Sequence, residues 1–181
     1  PVIVVVSALG GITDQLLSTA HLAADGNVAY EKEILSLINR HESVVNDLFD
    51  DTKNRMQLSM QMKKLLDELI NIFKGVYLIK DLSSKTLDTI VSYGERLSSL
   101  IVSASIPKAK WVDSRDIIKT EFKHGKHVPN SELTTELIQQ AFKYTPKVTV
   151  MGGFISSDVT SGDTTNLGRG GSDYTAALVA T

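Results

Sequence analysis

At 181 residues and 42% hydrophobic content, the chain is one domain, or one domain with a substantial insertion, and holds enough apolar material for a real core. Its 19 Lys and Arg against 21 Asp and Glu leave a formal net charge of -2, which excludes the basic footprint of a nucleic-acid binder or of a protein drawn to an anionic membrane. The absence of cysteine excludes a disulfide framework and any thiolate metal site, and fits a cytoplasmic, reducing compartment.

The chain opens on Pro1 rather than on Met, already next to a strand, and stops inside what reads as a helix. The expectation is a piece of a longer protein. "VIVVVSA" is an uninterrupted β-branched run closed by small residues, the composition of a central parallel strand. In "GGIT", Thr13 is the expected N-cap of a helix beginning at Asp14. From there to about Lys80 the pattern is helical, broken by "DGN" at 25–27 and "DDTKN" at 50–54. Met62, Leu65, Leu66, Leu69, Ile72, Phe73 and Val76 recur at helical spacing, so a helical excursion of about 14–80 follows the first strand.

A further helix is predicted from about Lys85 to Ser105, with Leu87, Ile90, Val91, Gly94, Leu97, Ser98, Ile101 and Val102 on its buried stripe. Gly94 and Ser98 lie one turn apart, where another backbone could come close. "KWVDSRDII" reads as a strand with a turn, "TEFKHGKHVPN" as a hairpin or exposed loop, and "TTELIQQAFK" as a short helix. "KVTVMGGF" is a strand ending in a glycine pair. This alternation predicts an α/β class, as a three-layer α/β/α sandwich around a mostly parallel sheet. Val2 to Val6 and Val148 to Met151 are its expected inner strands. No apolar run approaches the length of a membrane span.

Chemistry concentrates in "SGDTTNLGRGGSDYTAALVAT". Gly162, Gly168, Gly170 and Gly171 surround Arg169, and a helix is expected from near Ser172. Convergent backbone N–H groups and the positive end of a helix make an anion site. The segment follows a strand, where α/β sheets keep their ligands. Asp173 stands where the dinucleotide fingerprint needs its third glycine, and the phosphate loop G-x-x-x-x-G-K-[ST] is absent, so the anion stays open on the residues alone. "SALGGIT", with Gly10 and Gly11, is a second strand-to-helix turn, and the two loops could face one crevice. In "SYGERLSS", Ser92, Glu95, Arg96 and Ser99 share a helix face beside the apolar stripe. A solvated face is the plain expectation for it, although Gly94 implies close packing where Glu95 emerges. His124 and His127 lack a third ligand nearby, so no metal site is expected.

Together, "VVVSALGGITD", "SYGERLSS" and "MGGFISSDVTSGDTTNLGRGGSDYTAA" resemble aspartate kinase, a member of the amino-acid kinase family, over essentially the whole chain. The resemblance implies transfer of the γ-phosphoryl of ATP to the β-carboxylate of L-aspartate, the first step toward lysine, threonine and methionine. It implies that Arg169 grips a substrate carboxylate with its planar fork. By the same resemblance Glu95 pairs with the substrate ammonium, Ser7, Ala8 and Thr13 line the amino-acid pocket, Phe154 closes it, and Ser172 belongs to the substrate loop. Asp173 matches the acid that organises phosphoryl-stabilising lysines. Gly10, Gly11, Gly168, Gly170 and Gly171 form the phosphate-approaching turns.

ATP with Mg²⁺ is the implied cofactor of the intact enzyme, with none expected on this piece, and the parent is expected to be a homo-oligomer. Two family motifs are missing from this sequence: the K-F-G-G-T-S strand that holds ATP phosphates, and the nucleotide-binding strand T-D-V-D-G-V. The chain thus resembles the amino-acid-binding part of a catalytic domain, inactive alone, with a fused homoserine dehydrogenase left open. The alternatives are another amino-acid kinase, acting on acetylglutamate or a nucleoside monophosphate, and a ligand-binding module without catalysis. Glu95 with Arg169 favours a free amino acid over the first.

Overall fold

The computed structural model describes residues 2–143 and 147–180. Strand β1 (Val2–Val6) leads into four helices, α1 (Ile12–Ala24), α2 (Ala29–Leu48), α3 (Thr52–Ile79) and α4 (Ser84–Ser105). Strand β2 (Lys110–Val112), a 3-10 turn (Ser114–Asp116), the hairpin β3 (Lys119–Lys123) and β4 (Lys126–Pro129), and α5 (Ser131–Phe142) follow. Then come β5 (Val148–Gly152), β6 (Ile155–Asp158), β7 (Thr164–Asn166) and α6 (Gly171–Val179).

The first sheet is wholly parallel, in the order β1-β5-β2. Its helices lie on both faces. One apolar cluster runs through α1 to α4, with Leu16, Leu69, Phe73, Ile90 and Leu97 at its centre. On the other face, Ile3, Val5, Val112 and Met151 meet Ile138 of α5 and Leu178 and Val179 of α6. This α/β architecture is the one expected. The expected inner position holds for β5, which is flanked on both sides and buries Val150 and Met151 completely. It does not hold for β1. Among the described residues β1 pairs only with β5, and Val2 is 59% exposed. A β-branched run favours a strand on a packed surface, but its neighbours in the sheet are decided elsewhere in the chain.

A second sheet, β4-β3-β6-β7, was not anticipated beyond its hairpin. "ISSD" and "TTN" are too short and polar to show a strand pattern. They are held by buried hydroxyls instead: Thr165 Oγ1 meets Thr120 Oγ1 at 2.7 Å and Ser156 Oγ at 2.8 Å. Buried polar groups persist where they find such partners.

Two local expectations need correction. Helix α1 starts at Ile12 on Gly11, whose φ of 80° only glycine adopts readily, and Thr13 is already inside it. The face carrying Ser92, Glu95, Arg96 and Ser99 is buried, not solvated. Helix α3 supplies Glu68, which accepts from Tyr93 Oη at 3.0 Å and pairs with Arg96 at 3.6 Å. Trp111 Nε1 donates to Ser99 Oγ at 2.9 Å. A single-helix periodicity argument cannot see cover that arrives from other elements. The close approach at Gly94 is real: a Cβ there would lie 2.8 Å from that of Ala8.

Candidate active site

Strands β1 and β5 are parallel neighbours, so the loops leaving their carboxyl ends emerge side by side. Gly153 N–H donates to Val6 O at 2.8 Å and ties the two loops at their roots. Ser98 of α4 donates to Ser7 O at 2.7 Å, and Ser7 Oγ donates to Ser172 Oγ at 2.9 Å, linking the first loop to the start of α6. Between them lies a cleft of about 360 Å³.

Ser7, Thr13, Glu95 and Phe154 line the cleft from one set of elements. Gly168, Arg169, Gly170, Gly171, Ser172 and Asp173 line it from the loop and first turn of α6. Residues 74 positions apart, Glu95 and Arg169, therefore share one hollow. Ala8 takes part through its backbone, whose N–H donates to Glu95 Oε1 at 3.3 Å. Gly10 and Gly11 are not among the lining residues; they shape the turn into α1.

The loop from 168 to 171 depends on glycine. Gly168 and Gly170 both have φ of 74°, and Gly170 caps α6. The glycine pair Gly152 and Gly153, at the end of β5, does a steric job. A Cβ on Gly152 would come within 3.0 Å of Glu95 Cβ, and one on Gly153 within 2.6 Å of Ser172 Cα. Both glycines thus let α4 and α6 close on the strand end.

The electrostatics are asymmetric. Glu95 is 3% exposed, its Oε2 has no hydrogen-bond partner among the described residues, and burial pushes its carboxyl from 4.5 up to about 7. Arg169 is exposed and makes no ion pair among the described residues. A cationic fork with no partner faces the same hollow as a buried carboxylate in want of a donor. That pair of demands is met by a ligand carrying both a carboxylate and an ammonium.

Behind the cleft, Asp113 accepts from Arg115 Nη2 at 2.7 Å and Nε at 3.0 Å, and lies 3.7 Å from Arg96 Nε. Burial pushes its carboxyl up, but the hydrogen bonds and charge of Arg115, with the charge of Arg96, outweigh it and hold the group below the usual carboxylate range. Ser114 Oγ donates to Gly152 O and anchors the same corner. Sequence reasoning passed over this support because "VDSRD" shows no spacing that points to Arg96. Two larger hollows, about 510 Å³ between α2 and α3 and about 500 Å³ near Trp111, have no glycine among their lining residues. His127 pairs with Asp158 at 3.3 Å, and the described residues contain no group of three or more side chains suited to a metal ion.

The profile described as the amino acid kinase family matches residues 1–181. The chain belongs to the amino acid kinase family. Among curated relatives of this amino acid kinase chain, Aspartokinase 1, chloroplastic, of Arabidopsis thaliana is 30% identical over 98% of the chain and 32% of its own length. Lysine-sensitive aspartokinase 3 of Escherichia coli strain K12 is 29% identical over 98% of the chain and 39% of its own length. The crystal structure of E. coli aspartokinase III in complex with aspartate and ADP superposes with a TM-score of 0.82 at 28% identity, covering 98% of this chain and 39% of that one. The chain therefore spans well under half the length of the relatives it matches.

Proposed function

We propose that this protein is an aspartate kinase and that the cleft is its amino-acid site. The observation that carries the reading is the pairing of Glu95, buried with an unpartnered oxygen, and Arg169, a free guanidinium, across one glycine-walled hollow. A free α-amino acid satisfies both at once. The aspartate and ADP bound in the E. coli aspartokinase III structure agree with such a ligand and with a nucleotide co-substrate.

In this reading Arg169 holds a substrate carboxylate bidentately, and Glu95, itself buried in the cleft wall, holds the ammonium. Ser7, Thr13 and Ser172 offer hydroxyls around the bound amino acid, and Phe154 closes the pocket. The β-carboxylate oxygen attacks the γ-phosphorus of ATP, the bond from that phosphorus to the ADP oxygen breaks, and 4-phospho-L-aspartate leaves. Positioning and charge neutralisation dominate such a transfer. Asp173, in the first turn of α6, is assigned the role its motif implies, organising lysines around the moving phosphoryl group. Among the described residues no cluster of three or more side chains would seat Mg²⁺, and none is assigned to it here.

The test is aspartate-dependent ADP release by the complete protein, with hydroxylamine trapping the acyl phosphate. Aspartate should be used and N-acetylaspartate refused, because acetylation removes the ammonium that Glu95 needs. Equal use of both compounds would remove Glu95 from the site, and turnover with acetylglutamate alone would replace the reading with another amino-acid kinase.

A further inference from the structure

We propose that Thr175 is a positioning residue that fixes Phe154 in its place at the cleft, an inference that rests on reading that cleft as the amino-acid site. Phe154 sits at the centre of a tight turn, closed by Ile155 N–H donating to Gly153 O at 2.7 Å, with φ of 66°. A bulky residue at positive φ relaxes to negative φ unless its surroundings forbid it. What forbids it here is helix α6.

Thr175 is completely buried and does not line the cleft. Its hydroxyl accepts from Phe154 N–H at 3.0 Å and donates to Gly171 O at 2.9 Å. The second bond is the ordinary back-bond of a helical threonine. The first is not: it crosses 21 residues of sequence to satisfy the amide of a strained turn. The Phe154 carbonyl is taken up as well, by Leu167 N–H at 2.8 Å. Packing adds a wedge, because a Cβ on Gly171 would lie 2.8 Å from Phe154 Cδ2 and 3.0 Å from its Cα. One hydroxyl thus locks the turn that aims the Phe154 ring to the same first turn of α6 that carries Ser172 and Asp173. Fixing that ring sets the shape of the amino-acid pocket and leaves the nucleotide side untouched.

The experiment compares Thr175→Val, which keeps the shape and removes the hydroxyl, with Thr175→Ser, which keeps the hydroxyl. Kinetics with aspartate and with ATP, hydrogen exchange at the Phe154 amide, and thermal denaturation are measured on the complete protein. Thr175→Val should raise KM for aspartate about tenfold, the size expected from one lost hydrogen bond at a buried amide. KM for ATP and kcat should stay within about twofold, Phe154 exchange should accelerate, and Thr175→Ser should restore both. An unchanged aspartate KM, a parallel decline of all constants with melting temperature, or a serine variant as poor as the valine one would overturn the proposal. If the wild type does not use aspartate, the functional reading falls separately. Phe154 exchange then decides the positioning role: acceleration in the valine variant alone upholds it, and equal exchange in all three proteins overturns it.

Discussion

Replacing Glu95 by Gln should make the protein more stable and useless for aspartate, and the two effects should follow pH. Burial raises the Glu95 carboxyl from 4.5 to about 7. Between these values the folded state holds a proton that the unfolded state has released, so stability is lost as pH rises through the window. At 1.36 kcal/mol per unit, the shift costs the folded protein about 3 kcal/mol once the pH is above both values. Gln mimics the protonated form in shape and charge, and its carbonyl oxygen still accepts from Ala8 N–H. Glu95→Gln should therefore stabilise by about 1 kcal/mol at pH 5 and about 3 kcal/mol at pH 8. Urea unfolding followed by the single tryptophan, Trp111, reports this directly, since its indole is bonded to Ser99 on the same helix. The wild-type KM for aspartate should fall about tenfold per pH unit on approaching 7 and level off above it, because Glu95 must lose its proton before it can accept an ammonium. A Gln variant destabilised equally at both pH values would show that partners, not burial, govern this carboxyl. A flat KM between pH 6 and 8 would remove Glu95 from the ammonium site.

Arg169→Lys keeps the charge and loses the planar fork, so kcat/KM for aspartate should drop by about 2–4 kcal/mol while ATP binding holds; equal losses for both substrates, measured by steady-state kinetics, would indicate misfolding instead. Gly153→Ala should drive a methyl into Ser172, 2.6 Å away, costing about 1–3 kcal/mol of stability in urea unfolding and weakening aspartate binding. The 181-residue chain by itself should show no aspartate-dependent ADP release, because Arg169 is the only cation lining the cleft among the described residues and is committed to the amino acid. Charge on the moving phosphoryl group would go unmet. Turnover within about tenfold of the complete protein, in a coupled assay, would show that the neutralising groups lie elsewhere in this chain.

Strand β5, the five helices anticipated before α6, and the glycine-rich approach to α6 were legible in the sequence. Each rests on local physics: β-branched runs favour strands, apolar residues recur along a helix, and glycines take the left-handed turns at 168 and 170. The meeting of the Glu95 and Arg169 segments was legible too, through the resemblance of the motifs and not through any local signal. Other features lay beyond a one-dimensional reading. Among the described residues, the edge position of β1, the second sheet and the burial of the Glu95 face depend on contacts between distant segments, such as α3 covering α4 and a hydroxyl bond between Thr120 of β3 and Thr165 of β7. The chemical character of Glu95 belongs with them. A glutamate in "SYGERLSS" is an ordinary surface acid until neighbouring elements remove its water, and the free energy of that desolvation, which raises its pKa, exists only in the folded chain.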